Sequence, residues 1–132
     1  MSANENQCTV LVIDDDEMLV ELLNFKLEQK GFAVISSGDG EDGLSIATEE
    51  KPDLVVLDGM MPGMDGIEVL RLLKENPDTK DIPVVMLSAR QQSRDVVGGL
   101  SLGAAEYIAK PFMPEELILK IQRLLGDKCK AL

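Results

Sequence analysis

The stretch Leu54-Val55-Val56-Leu57-Asp58-Gly59-Met60-Met61-Pro62-Gly63-Met64-Asp65-Gly66 decides the fold. Four consecutive large apolar residues, two of them β-branched and none alternating with a polar one, suit a strand buried on both faces, as in the middle of a parallel sheet. Asp58 stands where the apolar run stops, and Gly59, Pro62 and Gly63 follow it. That order places a carboxylate at the C-terminal tip of a central strand, where open α/β sheets hold their ligands. Taken alone, an Asp so placed reads first as an ordinary turn residue, so its meaning depends on what the rest of the chain brings to the same edge.

Outward from this strand the pattern alternates strand and helix, which argues a doubly wound α/β fold: a parallel sheet with helices on both faces. Toward the N-terminus, Thr9 to Ile13 reads as a first strand with Asp14-Asp15-Asp16 at its tip. Leu19, Leu22, Leu23 and Leu27 then recur at helical spacing from about Glu17 to Lys30, and Gly31 ends that helix. Phe32 to Ser36 reads as a shorter strand, and Asp39 caps a helix running to about Glu50. Toward the C-terminus, Asp65 with Glu68 resembles a capping box for a third helix stopped by Asn76-Pro77-Asp78. Pro83 to Ser88 is a fourth strand, 94–102 a glycine-weakened fourth helix, and Glu106 to Ala109 a fifth strand. Pro114-Glu115-Glu116 opens a fifth helix with Leu117, Ile118, Ile121, Leu124 and Leu125 in one stripe.

The 132 residues are expected to form a single domain, 1–132, with its core over about 9–126 and no linker or repeat. No apolar run approaches the ~20 residues a membrane-spanning helix needs, and the first residues lack a basic region and apolar core, so a cytoplasmic location is expected. Cys8 and Cys129 have neither metal-ligand nor CxxC spacing and are expected as separate reduced thiols. The net charge of -11 is uneven: residues 1–58 hold 14 acids and 3 bases, residues 59–132 hold 10 of each. Such a balance repels nucleic-acid phosphates and argues against direct nucleic-acid binding by this domain. Without a single histidine, the chain can carry neither a Ser-His-Asp triad nor its own phosphohistidine, which leaves carboxylate chemistry.

Asp14 and Asp15 end the first strand, Asp58 the third and Ser88 the fourth, and Lys110 follows the fifth, so all should converge on one edge. This constellation resembles the receiver domain of two-component response regulators, in the manner of the single-domain chemotaxis regulators. The likeness runs from about Thr9 to Leu125 and includes Asp14-Asp15, Asp58 with Met61-Pro62-Gly63-Met64-Asp65-Gly66, Ser88-Ala89, and Gly103-Ala104 through Tyr107 to Lys110-Pro111-Phe112. It implies a flavodoxin-like five-stranded parallel sheet in the order 2-1-3-4-5 with five helices.

The resemblance also implies roles. Asp58 would be the phosphoacceptor, receiving a phosphoryl group from a histidine kinase or histidine phosphotransfer protein. Magnesium would be held by Asp15 and Asp58 directly, by Asp14 through water, and by the Met60 backbone carbonyl. Lys110 and Ser88 would stabilise the transferred group. Ser88 and Tyr107 would form the switch that changes the surface of the fourth helix, fifth strand and fifth helix for an output protein or effector domain. Such a domain phosphorylates and dephosphorylates its own aspartate without being a turnover enzyme. Met60 and Arg90, two beyond Asp58 and Ser88, are poor at activating water and imply slow self-hydrolysis; Asp16 and Glu17 receive no role. Physically the set is sensible, because three neighbouring carboxylates repel by ~1–4 kcal/mol per pair, and magnesium prefers oxygen ligands.

Other chemistries need an answer. Gly38-Asp39-Gly40-Glu41-Asp42-Gly43 is a GxGxxG opening a helix, but its acids would face a pyrophosphate anion. A magnesium phosphohydrolase using Asp14-Asp15-Asp16 would leave Asp58 and Tyr107 without purpose. A receiver-like module that binds partners without being phosphorylated is the nearer alternative.

Overall fold

Each side of the central strand is closed by helices whose apolar stripes match the two faces of the sheet. The structure, a computed structural model, describes residues 7–89, 103–126 and 129. Five strands, β1 (Thr9–Ile13), β2 (Ala33–Ser37), β3 (Leu54–Asp58), β4 (Val84–Ala89) and β5 (Glu106–Lys110), pair in parallel in the order β2-β1-β3-β4-β5. Four helices are described: α1 (Glu17–Gln29), α2 (Gly40–Glu50), α3 (Gly66–Glu75) and α4 (Pro114–Leu125). The helix expected over 94–102, and Arg90 with it, lie outside the described residues. Observed strand ends differ from the sequence expectation by a residue at β2, β4 and β5.

Strand parity sorts the core into two layers. Val10 and Val12 of β1, Leu54 and Val56 of β3, Val85 and Leu87 of β4 and Ile108 of β5 face α1 and α4, packing on Leu23, Leu27, Leu117, Ile121 and Leu125. Their neighbours Leu11, Ile13, Val55, Leu57, Val84 and Met86 face α2 and α3, packing on Ala47, Val69, Leu70 and Leu73. Every residue of β3 is buried, as its unbroken apolar run requires.

Side-chain caps start three helices. Asp39 accepts from the Asp42 amide at 2.7 Å and Asp65 from the Glu68 amide at 3.0 Å, as the sequence predicts. Asp16, which carried no expected role, caps α1 by accepting from the Leu19 amide at 3.2 Å. The acid-rich GxGxxG also finds a packing purpose, for a Cβ on Gly43 would fall 2.8 Å from Ile13 Cγ1. The glycine lets α2 lie close on β1.

One expectation is overturned. Cys8 and Cys129 are joined as a disulfide, with Cα atoms 5.4 Å apart across a sequence separation of 121. Sequence spacing could not show this, because it is the packing of α4 into the same apolar layer as Cys8, Val10 and Val12 that brings the two ends of the chain together.

Candidate acidic site at the strand tips

The pairing register builds the site. Ile13 lies beside Leu57, so the next residues, Asp14 and Asp58, emerge side by side at the tips of β1 and β3. Asp58 lies beside Leu87, which puts Ser88 one step further on, and Ala89 lies beside Lys110. Parity then decides direction. Asp14, Asp58 and Lys110 continue the face covered by α1 and α4, whereas Ser88 and Tyr107 belong to the opposite face, with Tyr107 beside Met86.

Asp14, Asp58 and Ser88 are all buried, at 2 %, 4 % and 2 % exposure, while Asp15 is exposed. From the end of β5, Lys110 reaches past the tips of β4 and β3 to place Nζ 3.1 Å from Asp14 Oδ2 and 3.4 Å from Asp58 Oδ1. Backbone donors complete the setting: the Asp16 amide donates to Asp14 Oδ1 at 2.9 Å and the Met60 amide to Asp58 Oδ1 at 3.2 Å. Asp14, Asp15 and Asp58 each offer a carboxylate oxygen within 4.8 Å of the others. The cluster could therefore hold a metal ion. Of the sequence-expected residues, the three aspartates and Lys110 are brought together directly. Ser88 Oγ approaches within 3.6 Å of the position a Cβ would take on Gly59, the residue after Asp58. Tyr107 is half-buried and packs with the α2–α3 layer behind Ser88. Met60 has an exposed side chain, so its backbone is what faces the site.

The electrostatics follow from burial. Loss of solvent raises the Asp58 carboxyl from its ordinary 3.8 to about 6, with Asp14 adding repulsion and the Met60 amide and Lys110 offsetting part of the rise. Burial alone would lower the Lys110 ammonium, but attraction from Asp14 and Asp58 outweighs it and holds its pKa above the usual value. Three carboxylates against one ammonium leave the tip short of positive charge.

The loop after β3 is fixed by α3. Gly59 donates to the Leu87 carbonyl at 2.7 Å, and Gly66 donates to the Gly59 carbonyl at 3.2 Å. A Cβ on Gly66 would collide with the Asp58 carbonyl oxygen and come within 2.7 Å of Gly59 Cα, so only glycine lets α3 start this close to the site. Gly66 stands in the motif that carries the resemblance but has no role there; its place immediately after a capping Asp is the local signal for one.

With this geometry in view, comparison with known proteins is decisive. A profile of the response regulator receiver domain matches residues 10–122. The chain belongs to the response regulator receiver domain family. It is 45% identical over 116 residues to the alkaline phosphatase synthesis transcriptional regulatory protein PhoP of Bacillus subtilis, covering 88% of this chain and 48% of that protein. The DNA-binding response regulator MtrA of Mycobacterium leprae is likewise 45% identical, over 88% of this chain and 50% of its own. This receiver thus spans about half the length of the curated relatives it matches. Among solved structures, the Francisella response regulator 1452 receiver domain aligns with TM-score 0.82 at 33% identity, over 89% of this chain and 96% of that one. The chemotaxis response regulator CheY4 of Vibrio cholerae aligns with TM-score 0.84 at 28% identity, over 90% of this chain and 99% of that one. The receiver fold expected from the sequence is thereby borne out, and among the described residues no helix is long and apolar enough to cross a membrane.

Proposed function

We propose that this single receiver domain, 1–132 with its core over about 9–126, takes a phosphoryl group onto Asp58 from the phosphohistidine of a partner kinase or phosphotransfer protein in the cytoplasm. The observation that carries this reading is the buried Asp58 carboxylate, held at the strand tip beside Asp14 and Lys110 and within reach of Asp15. An Asp58 oxygen attacks phosphorus, the phosphorus–nitrogen bond to the donor imidazole breaks, and the bonding pair stays on that nitrogen. Lys110 keeps its proton throughout and faces the negative charge that gathers on the transferred oxygens. Ser88 contributes a hydroxyl from the opposite sheet face, and its movement toward the phosphoryl group opens space for Tyr107 behind it.

The donor set suits magnesium, being all oxygen and short of positive charge. Asp14, Asp15, Asp58 and the Met60 carbonyl would hold the ion, which would neutralise the carboxylates and polarise the incoming phosphoryl group. An output protein or effector domain would read the change on a surface that includes β5 and α4. The acidic balance of the chain supports a reading in which any DNA contact is made outside this domain.

Incubation with a small phosphodonor and magnesium should add one acid-labile phosphoryl group per chain, and none to Asp58→Asn. Full labelling of that variant would refute the assignment. Wild-type protein that binds magnesium yet takes no label from either a small donor or a phosphorylated kinase would instead be a partner-binding module. Asp15→Ala should abolish magnesium binding measured by calorimetry.

A further inference from the structure

The Cys8–Cys129 bond lies at the edge of the sheet opposite Asp58. Cys8 immediately precedes β1 and is only 4 % exposed, within the same apolar cluster as Leu117, Ile121 and Leu125. Cys129 lies past the end of α4, half-buried against that cluster. Their Cα separation of 5.4 Å falls inside the range that bridged pairs adopt. α4 itself ends at Gly126, where φ is 53°, directly after its last buried residue, Leu125. Packing therefore holds the helix as far as Leu125, and the disulfide adds a covalent tie at Cys129.

We propose that Cys8 and Cys129 form a reversible latch, a redox input separate from the phosphoryl input, that fastens the C-terminal end of α4 to the start of β1. The difference in exposure makes it reversible. Cys129 is the more exposed residue of the pair, so exchange with a small thiolate begins at its sulfur. The thiolate bonds to Cys129 Sγ, the bond to Cys8 breaks, and Cys8 leaves with the electron pair and takes a proton. A second small thiol then attacks the outer sulfur of the mixed disulfide and releases the Cys129 thiol. Overall two small thiols are oxidised to one small disulfide while the protein disulfide is reduced to two thiols. The reverse exchange, driven by a low-molecular-weight disulfide, closes the latch.

The latch acts on a helix whose first turn follows Lys110-Pro111-Phe112 at the acidic site, so in the oxidised protein α4 is tied at its far end as well. A bond closing so long a loop also restricts the unfolded chain strongly. Wild-type protein should be equilibrated in mixtures of reduced and oxidised glutathione, trapped with a maleimide-polyethylene glycol reagent, and run on a non-reducing gel. The expected result is a reversible passage between two and zero reactive thiols in a monomer. The oxidised form should melt about 10 °C higher, and its amides over 121–126 should exchange at least tenfold more slowly. Cys129→Ser, a change at a half-buried position, should remove the redox dependence of both readouts. Two reactive thiols in the most oxidising mixture, crosslinks only between chains, or a bond that dithiothreitol cannot open in the folded protein would each overturn the latch. None of these readouts involves phosphorylation, so their outcome is independent of the role assigned to Asp58.

Discussion

Replacing Asp58 by Asn should make the metal-free protein more stable at pH 7.5, although the position is a buried polar one that ordinarily tolerates change poorly. In the folded chain the carboxyl is raised to about 6 from 3.8, first by burial and then by Asp14. Between those two values the folded state binds more protons than the unfolded state, so the contribution of this group to stability falls as pH rises and is fully lost just above 6. At ~1.36 kcal/mol per pH unit, the rise corresponds to about 3 kcal/mol of destabilisation at pH 7.5. Asn has the shape of the neutral acid, keeps an acceptor for the Met60 amide and carries no charge. The variant should therefore match the wild type near pH 4 and exceed it by about 1–3 kcal/mol at pH 7.5, the lower figure allowing for relaxation and water entry at an open edge. Urea unfolding followed by far-ultraviolet circular dichroism, in a chelator and at several pH values, measures this difference. Carboxyl groups remote from Asp58 contribute equally to both proteins and cancel, whereas Asp14, relieved of the Asp58 charge, adds to the gain. Millimolar magnesium should raise the wild type and narrow the gap. A variant no more stable than the wild type at pH 7.5, with a gap that ignores pH, would mean that the Asp58 charge is not held at a disadvantage.

Three further outcomes follow from the same geometry. Lys110→Met removes the ammonium that lowers Asp58, so the Asp58 carboxyl resonance, followed by NMR in metal-free protein, should titrate above about 6, and labelling by a small phosphodonor should fall at least tenfold; an unmoved titration would contradict the ion pair. Gly66→Ala should lose about 1–3 kcal/mol and weaken magnesium binding, because the added methyl meets the rigid Asp58 and Gly59 backbone. Asp16→Ala should lose about 1 kcal/mol through the α1 cap while leaving magnesium affinity within twofold, separating the third aspartate of the run from its two neighbours; a large loss of affinity would make Asp16 part of the site.

Much of the fold was legible because its signals are local. The unbroken apolar run of β3, the helical spacing of Leu23 and Leu27, the caps Asp39 and Asp65 and Pro114 at the start of α4 each state their structure within a few residues. The candidate site was legible for a related reason: in a parallel sheet the ends of alternating strands share one edge, so acids and a lysine that each follow an apolar run must gather there.

What composition and periodicity determined by themselves was therefore the element order, the sheet class and the edge on which Asp14, Asp15, Asp58, Ser88 and Lys110 meet. Only the tertiary structure decided which of them touch and how. Strand register sets Asp14 beside Asp58 and turns both toward Lys110 on one face, with Ser88 and Tyr107 on the other. Three equivalent-looking aspartates become a buried partner of Lys110, an exposed carboxylate near the two buried ones, and a helix cap. Cys8 and Cys129 pass from distant residues to a bonded pair, because contacts across 121 residues depend on how α4 packs into the layer that holds Cys8. Side-chain periodicity is a property of neighbours along the chain, whereas register, depth and the meeting of distant residues exist only once the layers have packed.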